Sequence, residues 1–96
     1  MARFVVVVHP RMAKELKAIE KAGRRDIVRR ILRALQSLEE DPFRARSGLD
    51  IKLLAAAEGA VYRLRIGDYR VLYEVDMGSG RVYVTGVFHR GRGYRD

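Results

Sequence analysis

The polarity pattern of the chain changes period along its length, and each change marks an element. Arg3 to Val8 is β-branched and apolar at successive positions, which predicts a strand buried on both faces in the middle of a sheet. His9-Pro10 ends it, because proline cannot donate to a ladder, and Pro10 is suited to open a helix. Met12, Leu16 and Ile19 then recur at helical spacing, with Lys14, Glu15, Lys17 and Glu20 outside. Gly23 breaks this helix, and a second is predicted from about Arg24 to Glu40. Its apolar stripe is Ile27, Val28, Ile31, Leu32, Leu35 and Leu38. The short link makes the pair an αα-hairpin. Pro42 accounts for the stop, whereas Glu39, Glu40 and Asp41 oppose the helix macrodipole. Pairing with Arg44 and Arg46, or with a basic partner segment, would offset them. Phe43 to Gly59 is the least regular stretch, where Lys52-Leu53-Leu54 reads either as a short strand or as the end of a loop.

From Tyr62 the period drops to two. Tyr62 to Tyr73, YRLRIGDYRVLY, predicts a tight hairpin turning at Gly67-Asp68. Ile66 then pairs with Tyr69, Arg65 with Arg70, Leu64 with Val71 and Arg63 with Leu72. Paired residues share a face and strands alternate faces. One face is Tyr62, Leu64, Ile66, Tyr69, Val71 and Tyr73, a core. The other is Arg63, Arg65 and Arg70 with Leu72. Like charges directly opposite cost stability, so Arg65 facing Arg70 points to an anionic ligand. Asp76 to Gly80 forms the next turn. Pairing Val75 with Val82 extends the parity, placing Val82, Val84, Gly86 and Phe88 in the core and Tyr83, Thr85, Val87 and His89 with the arginines. The order β-α-α-β-β-β predicts a single α+β domain over residues 1–96. In it the helical hairpin packs on one face of a mainly antiparallel sheet and leaves the other open.

Charge sharpens the picture. The net charge is +8, the pI is about 10.4, and 16 of the 20 basic residues are arginine. A chain this basic favours nucleic acid or another polyanion, and arginine forks bind phosphate bidentately. Arg24, Arg25, Arg29, Arg30 and Arg33 cover the outer face of the second helix, which fits a solvated surface as well as phosphate contact. No cysteine is present, so neither a disulfide framework nor a thiolate metal site is expected. No apolar run approaches transmembrane length and the N-terminus lacks a signal-peptide pattern, so a soluble cytoplasmic protein is expected. The absence of Asn and the single Gln36 match thermophile composition.

The open face offers Arg63, Arg65, Arg70, Arg90, His89 and Tyr94. No carboxylate pair and no metal-ligand spacing accompanies them, so glycoside hydrolysis and metal catalysis are not expected, nor any cofactor. Arginines with histidine and tyrosine suit a phosphodiester, where the cations stabilise a pentacoordinate transition state. RNA brings its own nucleophile in the ribose 2′-OH, so only a proton acceptor and donor remain to be supplied. His89 or Tyr94 fits that role.

YRLRIGDYRVLYEVD and the later VTGVFHRGRGYRD resemble the RelE/ParE superfamily of type II toxins, close to its RelE-like branch. The resemblance covers essentially the whole chain, and its most specific pieces are the R-x-G-D-Y-R hairpin and the final H-R-x-x-x-Y. It implies an inhibitor of translation that cuts mRNA in the ribosomal A site without metal, by 2′-OH attack leaving a cyclic phosphate. It also implies a RelB-like antitoxin as partner and a toxin–antitoxin complex on operator DNA. By position, Arg70 matches the hairpin arginine that contacts phosphate in such toxins, and Arg90 matches their arginine near the end of the last strand. Both are candidate catalytic residues with Tyr94, which matches a C-terminal tyrosine with an acid/base or stacking role. Arg63 and Arg65 fall where the best-studied branch carries lysines, and with Lys52 they are candidate phosphate ligands. Arginine is a poor base, so proton transfer passes to His89 or Tyr94. Two alternatives share the fold: a ParE-like inhibitor of DNA gyrase, and an inactive relative that only binds its antitoxin.

Overall fold

The computed structural model describes residues 3–56 and 60–90. Its elements in chain order are β1 (Val5–Val8), α1 (Pro10–Lys21), α2 (Arg25–Leu38), β2 (Asp50–Ala55), β3 (Ala60–Ile66), β4 (Tyr69–Asp76) and β5 (Arg81–His89). The five strands form one sheet in the order β1-β5-β4-β3-β2. Only the β1–β5 pair is parallel. The helices pack on one face, so the fold is α+β in two layers, and the stretch around Lys52 resolves as a full strand.

β1 is an edge strand, not a central one. Val5, Val7 and Val8 are exposed, and only Val6 and the preceding Phe4 pack on the core. The reason is topological. The β3–β4–β5 meander occupies one side of β5 with hairpin pairing, so β1 docks on the other side of β5 and has no strand beyond it. His9 ends the strand and caps α1, its Nδ1 accepting from the Arg11 N–H at 3.0 Å.

The core joins Met12 and Leu16 of α1, Ile27, Ile31, Leu35 and Leu38 of α2, and Leu64, Val71, Tyr73, Val82 and Val84 of the sheet. Each such side chain contributes about 1.5–3 kcal/mol on burial. Leu32, expected in the α2 stripe, is exposed; the stripe is narrower than its apolar residues suggest. Tyr62 and Tyr73 stack with ring centroids 5.4 Å apart, and the Tyr73 hydroxyl donates to the Pro42 carbonyl at 2.7 Å. Burial drives that phenol's pKa upward, so it stays a neutral donor.

Of the acids after α2, Asp41 finds local partners. Asp41 accepts from the backbone N–H groups of Phe43 (2.9 Å) and Arg44 (3.2 Å), which hold its carboxyl below the usual range. The Arg44 and Arg46 guanidinium groups lie 3.6 and 4.0 Å from the same carboxylate.

Candidate nucleic-acid interface

The β3–β4 hairpin carries the site. Its register runs unbroken, with Ile66 opposite Tyr69, Arg65 opposite Arg70, Leu64 opposite Val71 and Arg63 opposite Leu72. Gly67 takes φ +57° at the turn, a conformation that glycine adopts without steric cost. The predicted faces hold: Tyr62, Leu64, Ile66, Val71 and Tyr73 are buried beneath the helices, Tyr69 partly so. β2 adds Lys52 opposite Arg63 and Asp50 opposite Arg65. Arg63, Arg65, Arg70 and Lys52 therefore stand on one face, at the hairpin end of the sheet. Glu74 lies on the same face toward the other end.

This floor is not uniformly solvated. Arg65 and Lys52 are exposed, but Arg63 and Arg70 are only 5% and 7% exposed. Arg63 Nη1 donates to the Asp50 carboxylate at 3.0 Å and to the Asp50 carbonyl at 3.2 Å. A buried cation needs such a partner, since desolvation otherwise costs several kcal/mol. Arg63 is thus a strut that joins β2 to β3, while Arg65 is a surface cation. Sequence reasoning missed Asp50, because nothing in its local context links it to a residue thirteen positions on.

The parity argument fails in the second half of β5. Tyr73 pairs with Val84 but Leu72 pairs with Gly86, leaving Thr85 as the extra residue of a bulge. Its hydroxyl donates to the Leu72 carbonyl at 3.2 Å. Beyond the bulge every side chain is on the face opposite to expectation. Val87 is buried opposite Val71, in the core rather than with the arginines. Phe88 stands opposite Arg70, its ring against Gly86, 3.1 Å from where a Cβ there would be. The glycine inside a strand was the available signal, both for the bulge and for a close approach.

His89 is displaced with them. It lies opposite Tyr69, on the helix-covered face, with the two rings edge-on at 5.0 Å. Its Nδ1 is 2.8 Å from the Arg90 carbonyl oxygen. There it lines a groove of about 520 Å³ with Glu15, Ile19, Tyr69 and Phe88, a groove that neither Arg65 nor Arg70 lines. Arg90 follows at the hairpin turn. Its backbone N–H donates to the Asp68 carbonyl at 2.6 Å, and its exposed guanidinium is 4.0 Å from the Asp68 carboxylate. The structure therefore brings Arg63, Arg65, Arg70 and Lys52 together, puts Arg90 at the turn, and places His89 on the other face. Tyr94 lies outside the described residues. Among those residues, no three His, Asp or Glu side chains converge as a metal site, and no helix is long and apolar enough to cross a membrane.

An exposed arginine beside two buried ones can grip a phosphate from a fixed platform, with Phe88 next to Arg70 offering an aromatic ring. Several solved structures share this arrangement of elements. A chain of the archaeal RelE–RelB complex from Pyrococcus horikoshii matches with 28% identity and a TM-score of 0.80, over 95% of this chain and 99% of that one. A chain of the RelBE2 toxin–antitoxin complex from Mycobacterium tuberculosis matches at 21% identity and TM-score 0.71, over 92% and 99% of the two chains. The YoeB dimer from Staphylococcus aureus matches at 17% and 0.69, over 99% and 100%. No curated protein sequence matches. The family model described as the ParE toxin of type II toxin–antitoxin system, parDE, matches residues 6–94. With its own hairpin register and the RelE-like fold beside that match, the chain belongs to the ParE toxin family, within the RelE/ParE superfamily of type II toxins.

Proposed function

We propose that this toxin is a ribosome-dependent mRNA endonuclease acting without a metal ion. The observation that carries the reading is the cationic floor, Arg65 opposite Arg70 and flanked by Arg63 and Lys52, on the sheet face opposite the helices. The likeness to a chain of a RelE–RelB complex supports it. In this reading the 2′-oxygen attacks the adjacent phosphorus, forming the P–O2′ bond as the P–O5′ bond breaks. The products are a 2′,3′-cyclic phosphate and a free 5′-hydroxyl. Arg65 and Arg70 stabilise the charge that builds on the non-bridging oxygens, worth about 3–4 kcal/mol for a well-placed donor. Arg90 reaches toward the same phosphate from the turn. The 2′-OH proton must leave to a base and the 5′-oxygen must gain one. With His89 on the other face, Tyr94 is the residue assigned to that exchange. A RelB-like antitoxin is the proposed partner, and the site of action is the cytoplasm.

Primer extension on programmed ribosomes tests the reading. A new stop within the A-site codon is expected, lost when the scissile nucleotide is 2′-deoxy. Cutting of the deoxy message at the normal rate refutes the internal-nucleophile mechanism. The family match to ParE toxins favours a second reading, inhibition of DNA gyrase. Absence of the ribosomal stop together with blocked gyrase supercoiling selects it.

A further inference from the structure

A second concavity adjoins the floor just described and shares Arg65 with it. It is a groove of about 780 Å³ where α2, the loop before β2 and the end of β3 meet. Arg30 and Arg33 form its helical wall, Arg46 and Gly48 its loop wall, and Arg65 its sheet end. Arg65 thus belongs both to the open face and to this groove, which passes the start of β2 from one layer to the other.

The walls are held in place. Arg46 donates to three backbone carbonyls, of Arg44 (2.7 Å), Asp41 (3.0 Å) and Ser37 (3.1 Å), tying the loop to the end of α2. Reciprocal backbone bonds between Arg46 and Leu49, at 3.0 and 2.8 Å, close the turn itself. Arg30 Nη1 lies 3.6 Å from where a Cβ on Gly67 would stand, so this helical arginine reaches the β3–β4 turn. The charges in the groove are only partly compensated: Glu40 is among its lining residues and Arg46 lies beside Asp41. Arg24, Arg44, Arg46, Arg63 and Arg90 each have a carboxylate within 4.0 Å, whereas Arg30, Arg33 and Arg65 have no ion pair among the described residues. Arg30 and Arg33, one turn apart on a helix, repel each other. Such an arrangement stores charge for a polyanion.

We infer that this groove is a second RNA-backbone site, in which Arg30, Arg33 and Arg65 hold phosphates of a strand that continues off the open face. The inference rests on the nuclease reading for its choice of RNA, and on the shared Arg65 for continuity. Phosphate is the matching chemistry because the guanidinium fork donates two parallel N–H bonds to its oxygens. The strand is either the message or ribosomal RNA.

The test is the double variant Arg30→Ala/Arg33→Ala, which replaces two exposed helical side chains by the best helix former. Its melting curve reports folding, and Arg30→Lys/Arg33→Lys keeps the charge without the fork. Binding is read by fluorescence anisotropy over a salt series. One arm uses a 2′-O-methylated single-stranded RNA that cannot be cut, the other ribosomes free of message. The alanine pair is expected to bind about 10- to 100-fold more weakly, with the salt slope reduced by roughly 0.7 per lost phosphate contact, and the lysine pair to fall between. Loss in the first arm assigns the strand to the message, and loss in the second to ribosomal RNA. Wild-type affinity and slope in both arms overturn the inference, as does a loss seen only toward an acidic antitoxin peptide. Wild-type protein that binds through the groove yet never cuts message sinks the nuclease reading and leaves the groove standing. Normal cutting with unaltered binding in the double variant sinks the groove alone.

Discussion

The two hairpins that meet on β4 obey different rules. β3–β4 keeps one register from Ala60–Val75 to Ile66–Tyr69, and every side chain falls on the face that alternation assigns. β4–β5 begins the same way at Asp76–Arg81 but loses step after Tyr73–Val84. One extra residue, Thr85, turns Val87 inward, sends Phe88 to the arginine side and takes His89 away from it. Both pairs are antiparallel, both have short turns, and both alternate in polarity. The difference is that a two-residue turn fixes register only as far as the ladder stays regular, and a bulge resets it. A face assignment built on counted alternation therefore holds for Arg63, Arg65 and Arg70 and fails for residues past Gly86.

The comparison breaks most sharply in activity. On the nuclease reading, Arg70→Ala is expected to lower single-turnover cleavage by about 10²–10³, the range for removing one charge-stabilising donor. His89→Ala should change it by no more than a few-fold, since His89 faces Tyr69. A large loss from His89→Ala with Arg70→Ala near wild type would reverse the assignment.

Stability contrasts the two faces of β3. Leu64 is fully buried and Arg65 is exposed, though adjacent. Leu64→Ala should cost about 2–5 kcal/mol in denaturant unfolding, and Arg65→Ala no more than about 0.5 kcal/mol. Asp50→Ala, also a surface change, is expected to cost more than Arg65→Ala, about 1.5–3 kcal/mol, because it leaves the buried Arg63 guanidinium without this carboxylate. A cost within error of zero would show that Arg63 needs no strut.

The bulge itself sets a smaller effect. Deleting Thr85 makes Tyr73–Val84 and Leu72–Gly86 consecutive pairs without moving any other residue to a new face. The deletion should therefore fold, keep Val87 buried, and lose about 1 kcal/mol with the Thr85 hydrogen bond. Unfolding of that variant would mean that the bulge is needed for more than register.

Acid provides the mildest probe. Asp41 is lowered chiefly by the Phe43 and Arg44 backbone N–H groups, Asp26 by its hydrogen bond from Arg24, and Asp76 by those from Ser79 and Gly78. A carboxylate whose folded pKa is depressed contributes stability that is present above its unfolded value, about 3.9, and is lost as pH falls through the folded value. The melting temperature should thus hold from neutral pH to about 5 and decline below about 4. Asp41→Asn should shrink that acid-side decline.

Much of the fold could be read from the chain before any coordinates. Helical spacing located α1 and α2 to within two residues, Gly67-Asp68 set the β3–β4 register, and the R-x-G-D-Y-R hairpin pointed to the superfamily. The irregular stretch concealed β2, because a strand carrying Lys52, Leu53 and Leu54 with a bulge of its own shows no clean alternation. The valine run of β1 looked central because hydropathy reports how apolar a segment is, and not how many neighbours the topology leaves for it.

The division follows from the range of the forces involved. Local sequence by itself determined the helices, the tight turn and the side of the hairpin on which its arginines stand, since these depend on periodicity and on backbone freedom over a few residues. Only the tertiary structure decided that Arg63 is buried against Asp50, that Thr85 bulges and removes His89 from the arginine face, and that Arg30 and Arg33 share a groove with Arg65. Each of those outcomes depends on residues distant in sequence meeting across strands or between layers, where packing and desolvation override local alternation.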